Sequence, residues 1–283
     1  MRLFSVFLVS MALVTLDGFY QLWHGTDFLL GHSVDIPGRF IRMRSTFGSP
    51  NDLAAYYLLA LPMGFQRWVE TRRWSLKNTG LMILFALFSI AFIATLSRAA
   101  FFSLFLALLI VAVWRRKKRV IAVIFIAAAA FLAVPGVLRE NFVGSLSLND
   151  ETIGERIRFW GITGRVIREH PLRGHGVNTY YEEFARHAPA AETYRGYAHN
   201  CYLQMWSEVG LIGLLLFVYP IFAIMFKALA KKPEEGEDRL IGALSVGMLA
   251  FLIQSAFDTN FYAMQTAHLF WVMWGTSTGL MKG

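Results

Sequence analysis

A single cysteine, Cys201, stands in the 283-residue chain, so no internal disulfide can form, and a CxxC pair or a Cys/His zinc cluster is excluded. Charge is scarce too: Asp, Glu, Lys and Arg make up 16% of the residues against 56% from A, V, I, L, M, F, W, Y and C. An ordinary soluble domain carries about a quarter charged residues, so that class is excluded. The 25 Phe and 8 Trp reinforce the exclusion, because a compact water-soluble body of this size has too little interior for so many large rings. Internal repeats and low-complexity tracts are absent. These absences leave a polytopic membrane protein.

The formal charge of +8 has a definite place. Arg67, Arg72, Arg73 and Lys77 less Glu70 give +3, Arg115 to Arg119 give +5, and the other residues sum to zero. Basic clusters between apolar runs are the positive-inside signature and do not point to nucleic acid.

Apolar stretches able to cross the ~30 Å hydrocarbon layer begin near Leu3, Leu53, Leu81, Ala99, Val120, Cys201, Leu240 and Ala263. Lipid admits only helices or closed barrels, so the expected fold is all-α, with about eight transmembrane helices and a helical outer loop. Residues 1–134 hold spans one to five, 135–199 the outer loop, and 200–283 the last three spans. The run Leu53 to Phe65 contains Pro62 and reads as a half-span or a tilted, kinked helix. The first run has Arg2 before it but no small-x-small cleavage motif ahead of Asp17 and Trp23, so it reads as an anchor. With both basic clusters inside, residues 24–51, the Ser97-Arg98 corner, residues 136–199 and the Asp258-Asn260 corner lie outside, and both termini inside.

The outer segment predicts structure. In residues 151–170, Ile153, Ile157, Trp160, Gly164 and Ile167 share one helical face. Arg158 and Arg165 take the opposite face, where Glu155 and Glu169 can pair with them. Arg156 has no carboxylate one turn away on that helix. Spacing leaves two readings for it, an anionic ligand or partner elsewhere in the fold, and an arginine that caps a helix or snorkels to headgroups. His170-Pro171-Leu172-Arg173-Gly174-His175-Gly176 turns the chain. Thr179 and Glu182 read as a capping box opening a second helix through Arg186, stopped by Pro189. Glu182 and Glu183 are expected to be solvated on that helix, and His170, His175 and His187 to be structural.

At re-entry, His199, Leu203, Trp206, Gly210 and Gly213 share a face, with glycines that admit a neighbouring helix. Asn200, Gln204 and Glu208 form a polar stripe that must face a wet cavity or protein. Arginines recur on the same side at Arg39, Arg42, Arg44 and Arg98. Headgroup anchoring and phosphate binding are both open to them. Several arginines with one histidine on one side point to a diphosphate-linked lipid substrate beside a proton acceptor.

Four segments carry a family resemblance: RSTFGSPNDLAAYYLL (44–59), LSRAAFFSL (96–104), ERIRFWGITGRVIREHPLRGHGVNTYY (155–181) and HNCYLQMWSEVGLIG (199–213). Together they resemble the bacterial O-antigen ligase and polymerase superfamily, whose members transfer glycans from undecaprenyl diphosphate on the outer face of the inner membrane. The last segment fits the ligases' H-[NSQ]-x9-G-x2-[GTY] pattern with His199, Asn200, Gly210 and Gly213. The resemblance implies a GT-C type glycosyltransferase in the bacterial inner membrane, with its site on the periplasmic face. It further implies an inverting mechanism with no metal or other cofactor. Arg98 and Arg156 would hold the donor diphosphate, with Arg44 a third contact, and His199 would take the acceptor proton. Asn200, Arg158, Trp160 and Gln204 fall in the same motifs as substrate-binding residues. The implied partners are the undecaprenyl-diphosphate-linked glycan, a lipid A core or growing glycan acceptor, and membrane lipids, with no nucleic acid. No Asp-x-Asp pair lies near these residues on the outer side, in keeping with that expectation. Only one span precedes the first motif, where the family usually has more.

The pattern favours a ligase acting on lipid A core, with a polymerase or a protein O-oligosaccharyltransferase as alternatives within the family. A transporter of lipid-linked glycan predicts ionisable groups at the midplane and a repeated half. His268 alone lies several positions inside a span. A non-catalytic envelope scaffold is the remaining class, and it would tolerate loss of His199.

Overall fold

Leu53 to Ala60 is apolar on every side of a helix, so only neighbours on all sides can cover it, and all eight residues are buried. They lie in α2 (Pro50–Glu70), which Pro62 does not end. α2 is therefore the central helix of the bundle, and it continues through Pro62. The computed structural model describes residues 2–35, 41–70, 76–133, 151–189, 196–230 and 237–281. Among these the other helices are α1 (Arg2–His24), α3 (Leu76–Ala94), α4 (Arg98–Trp114), α5 (Lys118–Ala133), α6 (Glu151–Glu169), α7 (Tyr180–His187), α8 (Cys201–Ala230), α9 (Glu237–Gln254) and α10 (Met264–Leu280). Arg39 lies outside the described residues.

The all-α expectation holds among the described residues. Helices stand at each of the eight expected span positions. Two of them, Ser5–His24 and Cys201–Ala230, are long and apolar enough to cross a bilayer, while Thr79–Ala94, Arg98–Trp114 and Arg239–Gln254 are apolar but shorter. Among the described residues, length and composition thus mark two helices able to cross, and the expected count of eight is not reached by this criterion.

α9 packs most extensively on α2 and α4. Phe251 on α9, Phe270 on α10, Phe88 on α3, Tyr57 on α2 and Met11 on α1 are fully buried in one continuous core. Hydroxyls tie α1 to α2 inside it, Ser10 to Tyr56 at 2.9 Å and Thr15 to Tyr57 at 2.7 Å. At the outer end of α1, Gln21 Oε1 accepts from the N–H groups of Arg44 and Ser45, both at 2.9 Å. Asp17 accepts from Ser45 Oγ at 2.6 Å, so the first outer loop is fastened to the helix that precedes it.

α8 has 30 residues, about 45 Å at 1.5 Å per residue, longer than the hydrocarbon layer. Gly210 interrupts it with φ 71° and ψ 175°. The carbonyls and N–H groups freed by this break need partners, and the turn after α6 supplies them. His175 N–H donates to Ser207 O at 2.9 Å, Gly176 N–H to Glu208 O at 2.8 Å, and Leu211 N–H to Pro171 O at 2.9 Å. The two backbones touch: a Cβ on Gly210 would lie 2.2 Å from Leu172 O, and one on Gly174 2.3 Å from Glu208 O. Gly210 therefore admits a crossing loop rather than a helix. Gly213 admits neither, since a Cβ there would meet Val209 of its own helix at 2.7 Å.

Both helices of the outer segment form, with altered details. α6 buries Phe159, Ile162, Val166 and Ile167, while Ile157 is 54% exposed. The buried face is rotated from the expected one because Phe159 packs on Phe184 of α7 and on His199. Glu169 pairs with His187 at 3.0 Å, and Arg165 donates to His187 O at 3.2 Å, so these two do not pair along their own helix. Thr179 turns its hydroxyl back to Gly176 O at 2.7 Å, and no capping box forms.

Gly210→Ala and Gly174→Ala each combine a left-handed φ with a backbone collision, and each is expected to destabilise by about 3 kcal/mol or more. Gly161→Ala, at a helical position with open space, is expected to be neutral or to stabilise by about 0.5–1 kcal/mol. Thermal unfolding of the purified variants in one detergent checks the contrast.

Candidate active site

His199 sits in the left-handed region at φ 49°, an uncommon conformation for a residue with a Cβ that persists only where its surroundings enforce it. The enforcement comes from both sides. Before it, Ala198 O accepts from Trp160 Nε1 at 3.0 Å and Ala198 N–H donates to Gln204 Oε1 at 3.2 Å. After it, Asn200 Oδ1 caps α8 by accepting from Tyr202 and Leu203 N–H, both at 3.0 Å. Cys201 N–H donates to Ser255 O at 2.8 Å and Asp258 O at 3.2 Å. Trp160, Asn200 and Gln204, expected to bind substrate, thus use these polar atoms to hold the His199 segment.

The imidazole itself faces Asp258, Nδ1 to Oδ1 at 3.4 Å, and Phe159 stacks on it with centroids 6.3 Å apart. Asp258 comes from the corner between α9 and α10. Its Oδ2 accepts from Asn51 Nδ2 at 2.7 Å and its Oδ1 from Thr259 N–H at 2.9 Å. Asn51 Oδ1 in turn accepts from Arg42 Nη2 at 3.0 Å and Ser97 Oγ at 2.8 Å. Two donors on one side of that amide and a carboxylate on the other fix its orientation. A chain of hydrogen bonds so runs from Arg42 and Ser97 through Asn51 and Asp258 to His199.

Arg98 follows Ser97 and opens α4. It and Arg156 act on the same region. Burial lowers the pKa of the Arg42 guanidinium, with Asp35 opposing, Arg98 adding, Asp258 opposing and Arg156 adding. For Asp258, burial works against ionisation, yet the hydrogen bond and charge of His199, the charge of Arg156 and the Thr259 N–H hold its carboxyl below the ordinary range. His199, Arg98 and Arg156 are thus gathered at one end of the bundle, with Arg42 among them. Arg44 is not in this network: its Nε donates to Ser33 O at 2.7 Å and Nη1 to Gly48 O at 3.1 Å. Arg158 is exposed on α6, its guanidinium carbon 5.5 Å from the Phe159 ring centroid.

The polar stripe faces protein. Glu208 is buried and accepts from Tyr262 Oη at 3.0 Å, with Gln204 Nε2 at 3.5 Å from its other oxygen. Residue pattern gave no role to Asn51 or Asp258, and left Arg42 between headgroup anchoring and phosphate binding. Asp258 and Asn51 lie far from His199 in the chain, and the only sequence signal was their position in segments assigned to the same side.

Below the cluster is an apolar cavity of ≈ 350 Å³ lined by Phe102 and Leu106 of α4, Tyr202 and Phe222 of α8, and Leu249 and Phe257 among others. Phe102 and Leu106 stand one and two turns along α4 from Arg98, on its face. A cationic cluster above an apolar groove is complementary to an anionic amphiphile.

Residues 83–218 match a family model described as O-antigen ligase. That segment holds Arg98, Arg156 and His199, whereas Arg42, Asn51 and Asp258 lie outside it. No curated protein matches the chain.

A carboxyl with a depressed folded-state pKa stabilises the fold above its unfolded pKa, and that contribution is lost as pH falls through the folded value. Asp258 is therefore expected to add acid sensitivity below the ordinary carboxylate range. Unfolding midpoints measured against pH should show that limb flattened in Asp258→Asn, with a lower midpoint at neutral pH.

Proposed function

We propose that this chain, which belongs to the O-antigen ligase and polymerase superfamily, is an inverting membrane glycan transferase. Its donor is a glycan on undecaprenyl diphosphate, and its acceptor is a hydroxyl of lipid A core. The observation that carries this reading is the joining of His199 to the arginine cluster through Asp258 and Asn51, directly above an apolar groove.

The proposed topology has eight spans, α1–α5 and α8–α10, with residues 135–199 as the periplasmic loop and both termini cytoplasmic. Convergence of residues 42, 51, 97, 199 and 258 at one end supports it, because alternating spans put every second connecting segment on the same side. The remaining basic cluster, Arg115 to Arg119, follows α4 at the other end.

In the reaction, Arg98 and Arg156 bind the diphosphate and balance the charge that grows on the leaving oxygen. The prenyl chain follows Phe102 and Leu106 into the groove. The acceptor oxygen attacks the anomeric carbon from the face opposite the diphosphate, the C1–O bond breaks with its electron pair going to the diphosphate, and His199 Nε2 takes the hydroxyl proton. Asp258 accepts from His199 Nδ1–H, which fixes the tautomer and stabilises the imidazolium. No step calls for a metal ion.

Transfer from purified undecaprenyl-diphosphate-linked glycan, in nanodiscs with chelator present, tests the reading. His199→Ala is expected to lower the rate by about 10²–10⁴-fold with the fold intact, and Arg98→Ala to raise the donor KM. Product on lipid A core supports a ligase, and extended donor-linked glycan would replace that assignment with a polymerase. Undiminished transfer by His199→Ala would overturn the mechanism.

A further inference from the structure

A second cluster of titratable groups lies outside the reaction site, where the end of α6, the following turn and α7 meet. His187 Nε2 is 3.0 Å from Glu169 Oε1, and His175 Nδ1 is 3.6 Å from Glu183 Oε2. One ligand atom from each of Glu169, Glu183 and His187 falls within 4.8 Å of the others. Tetrahedral ligands about 2.0–2.1 Å from a zinc ion stand about 3.3 Å apart, the spacing that the two measured pairs bracket.

The imidazoles are wired as metal ligands are. His187 Nδ1 faces Glu183 O at 2.8 Å, and His175 Nε2 faces Val166 O at 3.0 Å. With each ring donating to its backbone carbonyl, the other nitrogen faces a carboxylate at 3.0 and 3.6 Å, a gap that either a proton or a cation must bridge, and the carbonyl bond fixes the ring. The side chains of His175, Glu183 and His187 are 7%, 10% and 17% exposed, and Glu169 is 52% exposed, which leaves an entry path. Arg186 holds the other oxygen of Glu183 at 2.6 Å, and its own side chain is 66% exposed, free to swing away as a cation enters. Glu183 is therefore buried in this cluster rather than solvated as its sequence position suggested.

We propose that Glu169, Glu183 and His187, with His175 seated against Glu183, form a binding site for a divalent transition ion of the Zn²⁺ type. The ion takes no part in transfer. It staples the end of α6 to α7 and to the turn that interlocks with α8, and so stiffens the helix that carries Arg156, Phe159 and Trp160 to His199. This inference stands whether or not the proposed reaction is correct.

The test uses the full chain in nanodiscs, its affinity tag removed and its metals stripped. Titration with Zn²⁺ is expected to show one saturable equivalent and a raised unfolding midpoint. Glu169→Gln and His187→Gln should each weaken binding by more than the roughly 10–100-fold that loss of an outer-shell partner causes, while keeping helix content by circular dichroism, and His24→Gln should leave binding unchanged. Affinity should fall as pH drops through the histidine range, because protons compete for the imidazoles. Absence of saturable binding, or binding indifferent to both substitutions, overturns the proposal. So does a midpoint that rises on acidification in chelator yet ignores Zn²⁺, which would make the cluster a set of proton-bridged ion pairs.

Discussion

The Asn51 amide accepts hydrogen bonds from Arg42 and Ser97 and donates one to Asp258, and the outer end of the bundle is organised around that exchange. It joins the start of α2, the start of α4, the first outer loop and the corner between α9 and α10. Asp258 extends it to His199. A buried carboxylate so close to apolar helices is costly unless paired and hydrogen-bonded. Asp258 has the amide, a backbone N–H and the imidazole, and Arg42 spends its fork on Asn51, Thr95 O and Asp35. Remove the amide, and an arginine and a carboxylate lose their shared partner at once. In this sense the cationic cluster is a consequence of packing as much as of charge.

The second constraint is the interlock of Gly174 with Gly210. Breaking α8 frees backbone groups that neither lipid nor an apolar core would satisfy, and the turn after α6 satisfies them with its own backbone. The same contact sets the height of α6 over the bundle. From there Trp160 reaches Ala198 O and Phe159 covers His199. The strained φ of His199 and the broken helix below it are therefore maintained by the outer segment, and that segment is held by the glycines. A stiffer α6–α7 hairpin would hold Arg156 more firmly over the same site.

Much of this was legible from residue pattern. The apolar runs marked a helix at each of eight positions, the 3.6-residue period marked α6, and the isolation of Arg156 from carboxylates on its own helix left it open to a partner elsewhere. Pro62 left a half-span and a kinked helix both open, and the helix runs on past it to Glu70. The face of α6 was misjudged by a fraction of a turn, since Phe159 found aromatic partners in α7 and His199 that periodicity along one helix does not record. Arg44 and Arg42 are two residues apart and equally basic. Only the loop's fastening to Gln21 and Asp17 sends the first to Ser33 O and Gly48 O and the second to Asn51.

Composition and hydropathy by themselves determined that the chain is helical and apolar and where its helices lie, because transfer free energy and helical period depend on local residue type. Spacing singled out His199 and Arg156, a corner position Arg98, and the family resemblance gave all three their expected roles. The partner of His199, the amide that orients Asp258, and the choice of Arg42 over Arg44 were decided only by tertiary structure. Asn51 and Asp258 are separated by 207 positions, and no local preference favours a hydrogen bond across that distance. Packing of α9 against α2 and α4 creates it, and with it the site.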